Sequence, residues 1–351
     1  PLPDRGASRL LVLDRRTGRV EHRCFSDLGG YLDPGDALVL NDTRVIPARL
    51  EGRKESTGGR IEITLLREAA GDVTVAAVAA GPTSGRTPSP GSGRSEWEAL
   101  VRPARRALPG RKFIFGEGNL VGEILPHGAG VSRGERRIVF STPDGEDPRN
   151  VIRRLGKMPL PPYIKRDLDE PSRYQTVYAR HEGSVAAPTA GLHFTERHLE
   201  DLSARGLSIA YVTLHVGPGT FLPVLVEDID RHVMEAERFA LEAETAGLLN
   251  EVRRRGNRTV AVGTTVTRVL ESSVGADGFF KGGLGETGLF IHPGYRFRGV
   301  DCLLTNFHLP RSTLLMLVCA FAGTDRIRSV YREAVERRYR FYSLGDAMLI
   351  L

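Results

Sequence analysis

The chain has 351 residues, of which 40% are hydrophobic and 26% are charged, and its formal net charge at pH 7 is +6. These proportions are ordinary for a soluble globular protein, and the length allows two or three domains with a large core. The longest uninterrupted apolar run, residues 314–322, is too short to cross a bilayer and predicts a buried strand or helix instead. The basic charge is compatible with an anionic partner such as nucleic acid.

The first part of the chain is predicted to be rich in β-structure. Strands are expected at residues 9–14 and 37–41, where apolar runs are bounded by turn residues. Short β-rich runs then recur between residues 53 and 148, at 61–66, 113–115, 121–125 and 137–141. This spacing predicts a small barrel or sandwich. Within it, residues 81–95 are rich in Gly, Ser and Pro and are predicted to form a mobile loop.

After residue 147, helical and strand patterns alternate. Helices are predicted over 147–156, 195–206, 242–255, 263–271 and 325–339, and strands over 208–215, 259–262 and 300–304; residues 312–321 are mostly apolar. This alternation favours a largely parallel sheet or an α/β barrel. The expected fold class is α/β: a barrel-like α/β domain formed by residues 1–54 and 149–351, with an inserted small all-β barrel domain at residues 55–148.

Common cofactor motifs are missing from the sequence. No Gly-x-Gly-x-x-Gly follows a predicted strand into a helix, and the sequence contains neither the P-loop motif nor His-Glu-x-x-His, which argues against a Rossmann-type dinucleotide site, a P-loop and a zinc protease. His193 and His198 are five residues apart, a spacing that does not favour a metal site, so no metal is expected. The three cysteines, Cys24, Cys302 and Cys319, are widely spaced; this disfavours a disulfide framework and favours a reducing cytoplasm.

Two histidines carry the strongest signal for chemistry. His193 follows Pro-Thr-Ala-Gly just before a predicted helix, and His215 ends a predicted strand before a glycine-rich turn. Histidine titrates near neutrality and therefore suits proton transfer, and loops after strand ends are where α/β folds bind ligands. The alternative interpretation is structural: a capping or packing role for His193 and a buried, hydrogen-bonded role for His215.

Other polar segments are candidates of the same kind. Glu235 and Glu237 share a face if their segment is a strand, where they could bind a cation or act as a base, or they could simply be solvated. Residues 263–268 could bind a phosphate or carboxylate, or cap a helix. Residues 306–313 combine amide, imidazole, guanidinium and hydroxyl groups after a predicted strand. Residues 41–49 form either a site or a buried, hydrogen-bonded turn.

Two basic segments are candidates for binding RNA. Residues 157–166 form a Pro-rich arm, and residues 326–342 interleave arginines with aromatic residues. Cations for phosphates and rings for unstacked bases are typical of RNA-binding surfaces. The alternative is a solvated helix face above core aromatics. The named candidates are Lys157, Tyr163, Lys165, Arg166, Arg337 and Arg338.

Segments spread along the chain resemble one family. They are 41–49 (NDTRVIPAR), 157–165 (KMPLPPYIK), 183–195, 213–221, 232–238, 263–268, 287–294 and 305–312. In this order they resemble the S-adenosylmethionine:tRNA ribosyltransferase-isomerase family of queuosine synthesis, and the resemblance covers nearly the whole chain. The loop at 81–95 departs from the family in its length and low complexity.

The resemblance implies a cytoplasmic tRNA-modifying enzyme that is usually monomeric and uses S-adenosylmethionine as co-substrate. It would transfer and isomerise the ribosyl group of S-adenosylmethionine onto 7-aminomethyl-7-deazaguanine at the wobble position of tRNAs with a G-U-N anticodon. The product would be epoxyqueuosine in tRNA, with adenine and methionine released. The implied fold is an α/β barrel-like domain with a small β-barrel insert.

The reaction requires a base for a C5′ hydrogen, an acid for the departing adenine and a neutral attacking amine, and chemistry and placement suggest which side chains could serve. The candidates for proton transfer are His193, His215, His308 and Glu237. The candidates for binding S-adenosylmethionine are Arg44, as a bidentate partner of its carboxylate, and Thr189, Gly191, Thr220, Thr264, Asn306 and Ser312.

Two other functions are compatible with the sequence. An S-adenosylmethionine-dependent methyltransferase would release S-adenosylhomocysteine, but the missing glycine-rich loop argues against it. A noncatalytic RNA-binding protein is allowed by the basic aromatic segments, but it would leave the histidine-containing loops without a purpose.

Overall fold

The computed structural model describes residues 4–69, 93–126, 134–161, 163–164, 168, 170–217, 229 and 232–351. The chain forms two compact units. The α/β unit consists of Pro1–Arg44, Leu168–His181 and Ala187–Leu351, and the barrel unit consists of Val45–Asp167 and Glu182–Ala186. The expected division into residues 1–54 with 149–351, and residues 55–148, stays a prediction.

The strands lie along the whole length of the described chain. They are β1 (Arg9–Leu13), β2 (Val20–Cys24), β3 (Ala37–Asn41), β4 (Thr43–Val45), β5 (Arg49–Lys54), β6 (Arg60–Glu68), β7 (Arg94–Arg102), β8 (Lys112–Phe115), β9 (Leu120–Ile124), β10 (Glu135–Ser141), β11 (His181–Ser184), β12 (Ser208–Leu214), β13 (Glu237–Leu241), β14 (Thr259–Val262), β15 (Gly283–Thr287), β16 (Cys302–Asn306) and β17 (Ala347–Ile350).

The α-helices follow the start and stop signals of the sequence. They are α1 (Pro148–Leu155), α2 (Glu196–Ala204), α3 (Ala243–Arg254), α4 (Thr264–Ser273), α5 (Thr313–Ala322) and α6 (Thr324–Glu336). The carboxylate of Asp147 accepts a hydrogen bond from a backbone N–H of the first turn of α1, and Thr195 caps α2 in the same way. Such caps satisfy backbone donors that have no partner within the helix.

A nine-stranded mixed sheet forms the centre of the α/β unit, in the order β15-β13-β12-β3-β14-β16-β17-β1-β2. The four central strands β12, β3, β14 and β16 are parallel to one another. From β3 the sheet extends to β12 on one side and to β14 on the other. The carboxyl ends of these parallel strands therefore lie at one edge, next to a point where the strand order reverses, which is where open α/β sheets bind ligands.

Burial of both faces explains the apolar character of the central strands. Every residue of β3, β14 and β16 is buried. Leu38 and Leu40 on β3 belong to a core cluster that also contains Val262, Leu304 and Phe194. Parallel strands covered on both faces show continuous hydrophobic runs, as these do.

The barrel unit contains a closed six-stranded barrel in the order β10-β7-β6-β5-β8-β9. All of its pairings are antiparallel. Burial alternates along β7, so that Trp97, Ala99 and Val101 face a core that also contains Phe113 and Phe140. This period-two pattern is the signature of strands with one face in a barrel interior.

The structure confirms the expected fold class, an α/β domain together with a small all-β barrel. Two local predictions were wrong. The strand expected at 300–304 is β16 (Cys302–Asn306), because the backbone pairing continues through the polar Thr305 and Asn306. Residues 94 and 95, expected in a loop, belong to β7; residues 81–92 of that loop lie outside the described residues. Among the described residues, no helix is long and apolar enough to cross a membrane.

Candidate active site at the carboxyl edge of the parallel strands

Asn306, the last residue of β16, connects two predicted site residues. The hydroxyl of Thr189 donates to Asn306 Oδ1 at 2.9 Å, and the Asn306 amide nitrogen lies 3.3 Å from Nε2 of His193. Because the amide oxygen is engaged by Thr189, the NH₂ group is oriented toward the imidazole, and Nε2 of His193 acts as the acceptor. The structure thus brings Asn306 to Thr189 and His193, which lie 117 and 113 positions earlier in the sequence.

His193 is almost completely buried, with 5% exposure. Its ring lies 5.1 Å from the ring of Phe25, and burial lowers the pKa of His193 to about 4. The imidazole is therefore neutral at pH 7 in the ligand-free protein, because burial in apolar surroundings disfavours the charged form. A neutral imidazole can accept a proton or a hydrogen bond, and only a small fraction of the rings is protonated at pH 7.

His215 follows β12 and is held by a threonine from the segment after β3. Thr43 Oγ1 lies 2.7 Å from Nδ1 of His215 and 3.4 Å from the carbonyl oxygen of His181. If the hydroxyl donates to that carbonyl, it accepts from Nδ1–H, and Nε2 is then the basic nitrogen of the ring. A fixed tautomer is the requirement for a histidine base.

Asp42 directly follows β3, and the sequence left open whether it belongs to a site or to a buried, hydrogen-bonded turn. Its side chain is 4% exposed, and Oδ1 accepts a hydrogen bond of 2.7 Å from Thr213 Oγ1. Oδ2 lies 3.5 Å from Nε2 of His181. Burial raises the pKa of Asp42, against the opposing effects of the Thr213 hydrogen bond and of the charges of His181 and Arg180. A carboxyl group of this kind can exchange a proton closer to neutrality than an exposed one.

Glu237 begins β13 and forms a buried ion pair with Arg268 on α4. Its other oxygen accepts from the backbone N–H of Gly217 at 3.0 Å, in the turn that follows His215. Arg268 also donates to the carbonyl oxygens of Thr287 and Leu289. Glu235, in contrast, is exposed, so the two carboxylates do not share a buried face. The network fixes the His215–Gly217 turn against the sheet.

His308 lies two residues beyond Asn306, in a different environment from His193. Its Nε2 is 2.7 Å from Thr305 Oγ1, and its backbone N–H donates to the hydroxyl of Tyr331 at 3.0 Å. Burial of the ring lowers the pKa of His308 to about 4. This ring, too, is neutral at pH 7.

Three small or hydroxyl residues from the predicted set have structural contacts. Gly191 has no room for a side chain, since a Cβ atom there would lie 1.9 Å from the hydroxyl oxygen of Tyr178. Ser312 caps α5, accepting from Leu315 N at 3.2 Å and donating to Leu309 O at 2.7 Å. Thr264 is buried in the first turn of α4, after Gly263, whose φ of +93° suits a residue without a side chain.

Arg44 is exposed and donates a hydrogen bond of 2.7 Å to the carbonyl oxygen of Ala179. It lies two residues after Asp42, on the segment that leaves the carboxyl edge. Thr220 was also predicted to bind S-adenosylmethionine, but it lies outside the described residues.

The predicted RNA-binding residues belong to both units. In the barrel unit, Lys157 is exposed and its ammonium donates to Glu51 at 2.8 Å; Tyr163 is partly exposed, and Lys165 and Arg166 lie outside the described residues. In the α/β unit, Arg337 and Arg338 are exposed at the end of α6, where Arg337 also bonds Glu333.

The aromatic residues of the C-terminal segment have a core role. Phe307 is fully buried, and the rings of Tyr331, Tyr339 and Phe341 lie 5.0 to 5.5 Å from it. Tyr331, Tyr339 and Phe341 therefore fit the alternative to an RNA-binding role, in which the aromatic residues pack in the core beneath a solvated helix face. Their packing holds the segment that carries His308 against α6.

Sequence reasoning missed Asp42 with Thr213, Thr43 as the partner of His215, and Arg268 as the partner of Glu237. Asp42 and Thr43 lay in a segment that was singled out, but their partners are 171 and 172 residues away. Arg268 lay in a segment that was interpreted as a phosphate-binding turn or a helix cap. Nothing in the neighbouring sequence indicated its buried ion pair with Glu237.

Within the described residues, no group of three or more His, Cys, Asp or Glu side chains is placed to hold a metal ion. The fold and the site together define an α/β protein with imidazole, carboxyl and hydroxyl groups gathered at the carboxyl edge of its parallel strands. This is the arrangement of an enzyme that binds a small molecule at the switch point of its sheet.

Comparisons with known proteins assign the family. The sequence profile of the family described as "Queuosine biosynthesis protein" matches residues 1–350. The chain is 51% identical to S-adenosylmethionine:tRNA ribosyltransferase-isomerase of Symbiobacterium thermophilum and 53% identical to that of Moorella thermoacetica; each match covers 100% of this chain and 95% of the relative. The chain belongs to the queuosine biosynthesis protein family, which confirms the expectation from its motifs.

A solved structure supports the same conclusion. The crystal structure of S-adenosylmethionine tRNA ribosyltransferase from Thermotoga maritima is 39% identical to the chain, with a TM-score of 0.52. The match covers 100% of this chain and 95% of that one. Sequence and fold therefore agree on one family.

Proposed function

We propose that the chain is an S-adenosylmethionine:tRNA ribosyltransferase-isomerase. It transfers and isomerises the ribosyl group of S-adenosylmethionine onto 7-aminomethyl-7-deazaguanine at the wobble position of tRNA with a G-U-N anticodon. The products are epoxyqueuosine in tRNA, adenine and methionine. The observation that carries the proposal is the match, over the full chain, to two relatives named S-adenosylmethionine:tRNA ribosyltransferase-isomerase that are 51% and 53% identical to it.

The proposed chemistry begins with a proton transfer. The sulfonium acidifies the C5′ hydrogens of the ribosyl group, and a neutral imidazole with a fixed tautomer is suited to remove one. We assign this role to His215, because Thr43 Oγ1 lies 2.7 Å from its Nδ1, and donation of Nδ1–H to this hydroxyl would leave Nε2 as the basic nitrogen. His193 and Asn306 form a second polar pair at the same edge, with atoms suited to a departing adenine base or a ribose hydroxyl.

Other predicted residues support these groups. Thr189 orients Asn306, and we propose a positioning role for Glu237, whose carboxylate is bound by Arg268 and Gly217 N. His308 stays a candidate for proton transfer. Arg44 has an exposed guanidinium that could pair with the methionine carboxylate. Thr220, Thr264, Gly191 and Ser312 complete the proposed S-adenosylmethionine set, the last two through their effect on the local backbone.

The tRNA is proposed to bind through phosphate contacts to exposed cations. The described candidates are Lys157 with Tyr163, and Arg337 with Arg338; the proposal also includes Lys165 and Arg166, which lie outside the described residues. The net charge of +6 favours such an anionic partner. We also propose that the protein acts as a monomer in the cytoplasm, where its three free cysteines would stay reduced.

The test is turnover of S-adenosylmethionine in the presence of tRNA that carries the aminomethyl base. We expect adenine and methionine to be released, and to depend on the tRNA. Release of S-adenosylhomocysteine would identify a methyltransferase, and tRNA binding without turnover would identify an RNA-binding protein. Replacing His193, His215 and His308 singly by Ala separates the candidates: a loss of adenine release below about tenfold, ~1.4 kcal/mol in barrier, removes that histidine from the list.

A further inference from the structure

The cations of the barrel unit differ in how their charge is compensated. One group forms ion pairs with carboxylates of the same unit, and its members are Arg67, Arg137, Arg149, Arg153, Arg154 and Lys157. A second group forms no ion pair among the residues that the structure describes, and it includes Arg102, Arg105, Arg106, Arg111, Lys112 and Arg136. Five of these six lie within residues 102–112, a segment without Asp or Glu that we call the basic loop.

The basic loop runs from the end of β7 to the start of β8. Arg102, Arg105 and Lys112 are exposed, and their side chains make no hydrogen bond within the described part of the chain. The loop contains no aromatic residue, and Leu108, at 46% exposure, is its one exposed large apolar side chain. Its surface is therefore dominated by free positive charge.

Backbone carbonyls hold three guanidinium groups at this part of the barrel. Arg106 donates to the carbonyl oxygen of Arg60 at 2.6 Å, and Arg111 donates to that of Arg106 at 3.3 Å. Arg136, on β10, donates to that of Ala107 at 2.9 Å. These bonds gather the cations but do not neutralise them, because a carbonyl carries no charge. A guanidinium has five N–H donors, so each of the three keeps donors for a ligand.

Neighbouring carboxylates leave most of this charge uncompensated. Glu62 lies opposite Arg102 in the β6–β7 register and Glu123 lies opposite Lys112 in the β8–β9 register, but neither forms an ion pair in the described structure. Glu135 begins β10 beside the cluster. The cations outnumber these three acids, and a local excess of one sign of charge attracts ligands of the opposite sign.

We propose that the basic loop and Arg136 bind the phosphate backbone of tRNA. A polyanion with many phosphates can occupy several of these cations at once, and the release of its counter-ions favours binding. Without aromatic rings for stacking, the contacts are to phosphates and do not depend on base sequence. A membrane surface fits less well, because a membrane-binding segment presents an apolar face beside its cations, and this loop offers only Leu108. The inference rests on the proposed function for the identity of the polyanion.

The test is the salt dependence of tRNA binding, measured by fluorescence anisotropy with an unmodified transcript that has a G-U-N anticodon. The loop variant replaces the three exposed cations of the loop that make no side-chain hydrogen bond in the described structure: Arg102→Gln, Arg105→Gln and Lys112→Gln. The control variant replaces three exposed cations of the same unit that are each paired with a carboxylate: Arg67→Gln, Arg153→Gln and Arg154→Gln. Both variants lose the same net charge.

We expect the slope of log K against log salt to fall by about 2–3 in the loop variant, and its tRNA affinity at about 0.1 M salt to fall at least tenfold. The control variant should bind tRNA as the wild type does. If the loop variant melts lower than the control, its three single variants replace it, each with an expected slope change of about 1.

An unchanged slope in the loop variant, or an equal change in both variants, would overturn the inference. Loss of binding to phosphatidylserine vesicles with unchanged tRNA binding would overturn it in favour of a membrane surface. Adenine release by the wild type tests the proposed function separately. Release with an unchanged slope refutes this inference alone, and the expected loss of tRNA affinity without any release by the wild type refutes the proposed function alone.

Discussion

The buried pair of Glu237 and Arg268 is the feature whose perturbation tests the structure most sharply. The side chains are 8% and 5% exposed, and the carboxylate also accepts from Gly217 N. Replacing Glu237 by Gln keeps the shape but leaves the guanidinium buried without a counter-charge. Breaking such a pair costs about 3–5 kcal/mol, and we expect a value near the lower limit because Arg268 retains two carbonyl acceptors.

A loss of about 3 kcal/mol should lower the melting temperature of a unit of this size by roughly 6–12 °C, measured by scanning calorimetry. The matched control is Arg238→Gln, on the next residue of β13, whose partner Glu286 is exposed. That exposed pair contributes about 0–1 kcal/mol. The double variant Glu237→Leu with Arg268→Met should recover much of the loss, since an apolar pair can replace a buried ion pair. Melting of Glu237→Gln within about 2 °C of Arg238→Gln would refute the reasoning.

Further predictions concern pH, tautomer and RNA. His193 and His308 have pKa values of about 4 in the folded protein against 6.5 in the unfolded chain. Their contribution to the free energy of unfolding is therefore fully present above pH 6.5 and is lost as the pH falls toward 4, with a loss of about 2 kcal/mol for each ring at pH 5. A melting temperature that is equal at pH 7.5 and pH 5 would contradict this. Thr43→Val should slow adenine release about 3–10-fold by removing the hydrogen bond that orients His215, whereas an unchanged rate would separate that bond from catalysis. Arg338→Gln should weaken tRNA binding and lower the slope of log K against log salt by about 1; an unchanged slope would place this cation outside the interface.

Local signals predicted much of the fold. Asp147, Pro148 and Gly156 mark the two ends of α1, and the structure places the helix between them. The strand Ala37–Asn41 was predicted with the bounds it has, because its apolar run starts after a turn and stops at a polar residue. Where the chain lacked such a boundary the prediction shifted: β16 was placed two residues early, since the sequence pattern gives no reason to extend pairing to Asn306.

The candidate site could be predicted only in part, because its contacts are long-range. The motifs singled out His193, His215 and Asn306 individually, but no spacing rule joins Asn306 to His193 across 113 residues. The sheet does so, by bringing the ends of parallel strands to one edge. The burial that makes His193 neutral depends likewise on Phe25, which a sequence pattern cannot place beside it.

The proposed function requires this chain to move the ribosyl group of S-adenosylmethionine to tRNA. The most direct measurement supplies S-adenosylmethionine labelled with ¹³C in its ribosyl carbons together with tRNA bearing 7-aminomethyl-7-deazaguanine, and analyses the digested nucleosides by mass spectrometry. We expect the labelled carbons in the modified wobble nucleoside, while the adenine that is released carries no label. Label that stays with an adenosyl product while a methyl group enters the tRNA would contradict it.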